Sequence, residues 1–214
     1  MMTNWSPLQS ENKAVPLFCT AYFPPIAYLV FAKRFKEIVI ETCENYIKQS
    51  IRNRTYILSA NGVLPLAVPV KRKGEGKMPI SEVETDNKTP WQRNHLRAVR
   101  SAYGKTPYFD YYYPDLEDML LKSPGLLLEL NTMLCDYLFG KFGIKTRLLR
   151  TESYVSQSDS DMRNSFTKQN LFSAYKNKAY FQAFSTKFPF VENLSCLDLL
   201  FNMGPEAGQY LDFD

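Results

Sequence analysis

At 214 residues, with 45% hydrophobic and 22% charged side chains, the chain is long enough for one sizeable domain and has ordinary globular composition. The net charge of +4 comes without a concentrated basic stripe, so nucleic acid is not expected as a partner. Cys19, Cys43, Cys135 and Cys196 are scattered with no C-x-x-C or Cys/His spacing, which argues against a zinc site and for thiols of a reducing compartment.

No apolar run approaches the roughly 20 residues of a membrane span, and the N-terminus lacks the charged and apolar regions of a signal peptide. A soluble cytoplasmic protein is expected. Residues 1–15 are polar and read as an irregular N-terminal segment, with residues 16–214 forming a single domain.

Leu17 to Phe23 reads as a buried first strand closed by Pro24-Pro25, and Pro25 is placed to start a helix over Ile26 to Lys33. Glu37 to Glu41 is a short strand. Tyr56 to Ser59 and Val63 to Val70 flank Asn61-Gly62, a strong hairpin signal, and Pro65 and Pro69 make the second strand an edge. The basic stretch Lys71 to Lys77 reads as a loop, either a solvated tip or a flap over an anionic ligand. Ile80 to Glu84 alternates like a strand.

Thr89 to Gly104 carries the only histidine. Thr89 is placed to cap a helix with Pro90 at its first position, and Gly104 to close it. At about 100° per residue, Trp91, His95, Ala98, Val99 and Ala102 form one stripe, with Arg93, Arg97 and Arg100 opposite. His95 therefore faces inward. It is either a buried, hydrogen-bonded histidine or a cleft-wall general base. The arginines are a solvated face or an anion site.

Pro107 to Tyr113 reads as a helical turn, with a helix from Tyr113 to about Leu121. Leu126 to Phe142 is a strongly apolar helix closed by Gly143, and Thr146 to Arg150 a strand. Residues 152–170 read as loop, and Tyr180 to Phe184 as a last short strand. Asn193 to Gly204 is a helix capped by Asn193 or Ser195. On it Asp198 and Asn202 share a face, either its wet side or part of a polar lining. The fold class is α/β: a mixed sheet with an antiparallel hairpin, flanked by helices, with a cleft near the C-terminal end of the first strand. No P-loop or dinucleotide fingerprint is present, and no cofactor is expected.

Five stretches in order resemble the WbqC-like family in its Bacteroides-type form. They are Ala21-Tyr22-Phe23-Pro24-Pro25-Ile26; Glu44-Asn45-Tyr46 with Lys48-Gln49-Ser50 and Arg52-Asn53-Arg54; Ala60-Asn61-Gly62 with Pro69-Val70-Lys71-Arg72; Thr89-Pro90-Trp91-Gln92-Arg93 with His95; and Asn193-Leu194-Ser195 through Leu197-Asp198-Leu199-Leu200-Phe201-Asn202 to Gly204-Pro205-Glu206. The resemblance implies a setting in surface-polysaccharide biosynthesis. It points to a polar lining with His95, Asn53 and Asp198 in catalytic roles and Tyr22, Pro24, Arg54, Lys71, Trp91, Asn202 and Glu206 in binding ones. An arginine suits a phosphate or carboxylate, and a histidine can take a proton from an amine or hydroxyl. The expectation is a transferase acting on an activated sugar or an acyl or aminoacyl donor, a small-molecule substrate. The alternative is a non-catalytic scaffold of a polysaccharide-assembly complex, with the tyrosine-rich segment 108–113 as its interface.

Overall fold

The computed structural model describes residues 6–7, 15–71, 76–167 and 176–212. Four parallel strands form one sheet in the order β1 (Ser6–Pro7), β6 (Arg147–Arg150), β3 (Glu37–Ile40), β2 (Leu17–Phe18). β1 lies within the stretch expected to be irregular. Helix α1 (Ile26–Lys33) is the crossover from β2 to β3, as parallel neighbours require. It is buried at Ile26, Ala27, Tyr28, Leu29, Val30 and Ala32, so it is a core helix rather than an amphipathic surface one. Tyr28 meets Phe18 of β2 edge-on at 5.0 Å between ring centres.

β2 is shorter than expected. Cys19 to Phe23 leaves the sheet, and the Tyr22 amide donates to the Ile51 carbonyl instead of to a strand. β4 (Arg54–Ser59) and β5 (Gly62–Ala67) form a separate antiparallel ribbon joined by Ala60 and Asn61. Gly62 pairs with Ser59 at φ +99°, a conformation open to glycine and strained for other residues. Pro65 sits on this two-stranded ribbon opposite Tyr56, consistent with edge placement. The stretch expected as a strand around Ile80 is a short 3-10 turn, Ile80–Glu82, whose ends bond to Glu44 and to the chain before α4.

Helix α2 (Trp91–Tyr103) starts one residue later than expected: Pro90, not Thr89, is the cap. Gly104 ends it with right-handed φ −61°. Its buried stripe is Trp91, His95, Leu96, Val99, Ala102 and Tyr103, while Arg93, Arg97 and Arg100 are exposed, as the periodicity predicts. Helix α3 (Phe109–Leu121) is one helix where a turn and a later helix were expected, with Pro114 inside it. The amide that proline lacks would have met the carbonyl of exposed Asp110, where water can substitute. Helix α4 (Leu127–Lys141) ends in a Schellman motif: Gly143 has φ +65°, its amide donates to Gly140, and Ile144 donates to Phe139. Tyr180 to Phe184 is irregular rather than a strand. Ser195 caps α5 (Cys196–Met203), its Oγ accepting from the Leu197 amide, and Gly204 ends it at φ +54°. Cys19, Cys43, Cys135 and Cys196 are free thiols. Among the described residues no helix is long and apolar enough to cross a membrane.

Candidate functional site

The C-terminal ends of β2, β3 and β6 open onto a polar region, the position where open parallel sheets place ligands. At the ends of β3 and β6 the buried Glu41 accepts from the Cys43 amide, the Thr151 hydroxyl and the Val155 amide, and Thr42 bonds twice to Thr151. These groups satisfy one another and lace the strand ends together. After β2 the chain turns so that Tyr22 is enclosed, its hydroxyl 2.9 Å from His95 Nδ1. The Trp91 ring lies edge-on to His95 at 5.2 Å and to Tyr22 at 6.4 Å. Trp91 and His95 are one helical turn apart on α2, which is why they share this wall.

His95 is 6% exposed, and burial lowers its pKa to about 4, the Ala67 carbonyl beside it opposing part of that fall. The imidazole is therefore neutral at physiological pH, with Ala67 on one side and the Tyr22 hydroxyl on the other. An imidazole so engaged has its Nδ1 occupied by the Tyr22 hydroxyl.

The Asn53-Arg54 pair adjoins this group through β5. Ala67 is the β-partner of Arg54, and the next residue, Val68, exchanges backbone and side-chain bonds with Asn53. Just before the pair, Arg52 forms a two-pronged ion pair with Glu44 at 2.7 and 2.6 Å, both side chains buried. Asn131 of α4 donates to the Arg52 carbonyl. Three buried atoms on this short segment and its neighbour, Asn53 Oδ1, Arg54 Nε and Asn131 Oδ1, meet no hydrogen-bond partner among the described residues. Such atoms are scarce in folded proteins and cost about 1–3 kcal/mol each when left so.

Asp198 and Asn202 lie elsewhere. Asp198 sits beside the far end of α2, facing Tyr103, whose hydroxyl is also reached by the Leu58 amide. From His95 to Tyr103 is about 12 Å along the helix at 1.5 Å per residue. Both side chains are buried rather than on a wet face. Tyr180 donates to Asp198 Oδ2 at 2.6 Å and Gln182 to the same oxygen at 3.1 Å. Burial raises the Asp198 pKa to about 6 against the pull of Tyr180, Tyr103 and Gln182. Asn202 donates to the Asp198 carbonyl. The expected single lining is thus divided: Tyr22, Trp91 and His95 form one group, Asn53 and Arg54 adjoin it through the backbone of Ala67 and Val68, and Asp198 and Asn202 form another. Pro24 stands between, its carbonyl accepting from the Cys196 amide. Glu206 is exposed just beyond α5.

Lys71 is exposed and paired with Glu84 at 2.7 Å. Both line a cavity of about 370 Å³ with Thr85, Asn87, Gly125, Leu126 and Glu129. Most of the basic loop after Lys71, residues 72–75, lies outside the described residues. In the tyrosine-rich segment Phe109, Tyr112 and Tyr113 are core, and Tyr111 is exposed. Asn131, Tyr180 and Gln182 were not anticipated. Nothing in the local sequence singles them out, and only tertiary packing reveals their partners.

An uncharacterised protein of Mycobacterium tuberculosis is 26% identical over 232 aligned residues, covering 94% of this chain and 98% of that one. No solved structure matches the chain. The model of the WbqC-like protein family matches residues 20–171, which takes in β3, β6, the Asn53-Arg54 pair and all of α2. The chain belongs to the WbqC-like protein family.

Proposed function

We propose that the protein is a group transferase that holds an activated, anionic donor, a nucleotide-linked sugar or an acyl or aminoacyl donor, at the Asn53-Arg54 segment, in surface-polysaccharide biosynthesis. The observation that carries this is the pair of buried atoms Asn53 Oδ1 and Arg54 Nε, which find no partner among the described residues, beside the polar ends of a parallel sheet. Arg54 offers a planar donor suited to phosphate or carboxylate, and Asn53 Oδ1 accepts from a hydroxyl or amide. In the transfer, the acceptor's oxygen or nitrogen forms the new bond to the transferred carbon. The bond to the leaving group breaks with its electron pair, the anionic leaving group stays on Arg54, and the acceptor's proton leaves to solvent.

His95 serves as a positioning residue in this reading. Its weak basicity suits it to hold the Tyr22 hydroxyl rather than to deprotonate an alcohol. The polysaccharide setting rests on the family resemblance.

The test is thermal unfolding with UDP-glucose or acetyl-CoA. A ligand at 100 times its Kd stabilises by about 2.7 kcal/mol, a clear rise in Tm, and Arg54→Ala is expected to abolish the rise. No rise with either donor, or an equal rise in Arg54→Ala, overturns the reading.

A further inference from the structure

Residues 177–193 are irregular, yet they close on themselves. The Asn193 amide donates to Asn177 Oδ1 at 2.9 Å, which pins the two ends together. Further in, Gln182 and Val191 exchange two bonds, Nε2 to the Val191 carbonyl and the Val191 amide to Oε1, both at 2.9 Å. Within that clasp the Ser185 amide donates to the Gln182 carbonyl, and the Lys187 and Phe188 amides donate to the Phe184 carbonyl. A surface loop whose ends meet and whose own groups bind it together can move as one unit.

Its tip meets the β4–β5 turn through exposed Lys187, which donates to the Ala60 carbonyl at 2.5 Å. Its first turn lays the Tyr180 ring edge-on to Tyr210 at 6.0 Å. The buried fastening is on α5, where the Tyr180 hydroxyl and Gln182 Nε2 donate to the same oxygen, Asp198 Oδ2, at 2.6 and 3.1 Å.

That oxygen belongs to a fully buried acid. The titratable groups facing it are Tyr103 of α2 and Tyr180 of the loop, with the Cys196 thiol of its own helix acting on Tyr180; among the described residues no lysine, arginine or histidine acts on it. Asp198 Oδ1 meets no hydrogen-bond partner among the described residues, nor does Asn202 Oδ1, one turn along the same face. A proton on Oδ1 therefore leaves both loop bonds in place and removes a charge that has no counter-charge. Without that proton the carboxylate gains by reaching water, and lifting the loop is what admits water.

We infer that residues 177–193 are a strap that opens as a unit, and that the proton on Asp198 keeps it shut. Opening uncovers the polar face of α5, Asp198 with Asn202. The strap stands independently of the transferase reading.

The carboxyl titrates at about 6 with the strap closed, against an ordinary 3.8 in water, so closure is firmest below pH 3.8, weakens from 3.8 to 6 and levels off above. Between pH 5 and 8 the open fraction is expected to rise about tenfold. The test is amide hydrogen exchange of the full-length protein, read by mass spectrometry at both pH values and corrected for the intrinsic pH dependence of exchange. Peptides from 177–193 should lose about tenfold in protection in wild type and none in Asp198→Asn, and peptides from α4 should show no such loss. Tyr180→Phe, which removes one bond to Oδ2, should raise exchange of the strap at both pH values and keep its pH dependence. Strap protection that does not change between pH 5 and 8, an equal change in Asp198→Asn, or a loss shared by α4 overturns the inference.

Discussion

Replacing Asp198 with Asn tests the energetics of the buried acid on α5. The carboxyl titrates near 6 in the folded protein against 3.8 as its ordinary value, because it is enclosed and only part of that burial is offset by Tyr180, Tyr103 and Gln182. A group whose folded pKa is raised contributes stability below the unfolded value and loses it as pH rises through the folded one. Here the loss runs from about pH 3.8 to 6 and reaches about 3 kcal/mol above that. Asparagine keeps the shape and an oxygen for Tyr180 and Gln182 and never acquires the charge. Urea denaturation of both proteins from pH 4 to 8 is therefore expected to give equal stability at pH 4 and an advantage to Asp198→Asn that grows to about 3 kcal/mol at pH 8. His95 titrates in both proteins, so its effect cancels in the difference. An Asp198→Asn variant less stable than wild type at pH 8, with a difference that does not change with pH, would refute the reasoning. It would mean that the carboxylate is a net support for Tyr180 and Gln182.

Two further outcomes are expected. His95 is held near 4 against an ordinary 6.5, so its contribution is present above pH 6.5 and is lost as pH falls toward 4. His95→Gln should gain about 3 kcal/mol relative to wild type between pH 7 and 4, and a constant difference in urea denaturation would count against a neutral buried imidazole. Arg52→Met leaves the Glu44 carboxylate buried without its partner and should cost about 3–5 kcal/mol, whereas the double change Glu44→Gln with Arg52→Met should cost well under the sum. Simple additivity in a double-mutant cycle would show that the pair is not coupled.

The elements marked by local chemistry were legible in the chain. Gly143 sits where the left-handed cap requires it, Asn61-Gly62 makes the hairpin, Pro25 precedes α1, and the inward stripe of α2 follows its period. The elements decided at a distance were not. Leu17 to Phe23 has the composition of a strand, yet two residues pair, because Tyr22 is drawn to Ile51 and His95. Tyr180 to Phe184 reads as a strand, but its polar side chains are committed to Asp198. The periodicity of α5 separates Asp198 and Asn202 from the leucines. It carries no information about what covers that face, and here the irregular segment around Tyr180 seals it. For the same reason the site residues could be named individually while their division into two groups could not. That division depends on how far α2 and β4 run between His95 and Asp198, a matter of three-dimensional placement rather than residue type.

The pairing of β3 with β6 has a consequence for how the molecule is made. Glu37 and its partner Arg147 are 110 residues apart, so β3 waits, already synthesised, while the hairpin and α2 to α4 emerge. Closing so long a loop carries an entropic cost that grows with the logarithm of its length, and contacts of this range slow folding. During that interval the Ile38-Val39-Ile40 strand has one flank bare and can be captured by other nascent chains. Chains released before Arg147 should therefore accumulate as aggregates or chaperone clients, making the stretch of translation between β3 and β6 the hazardous stage of production.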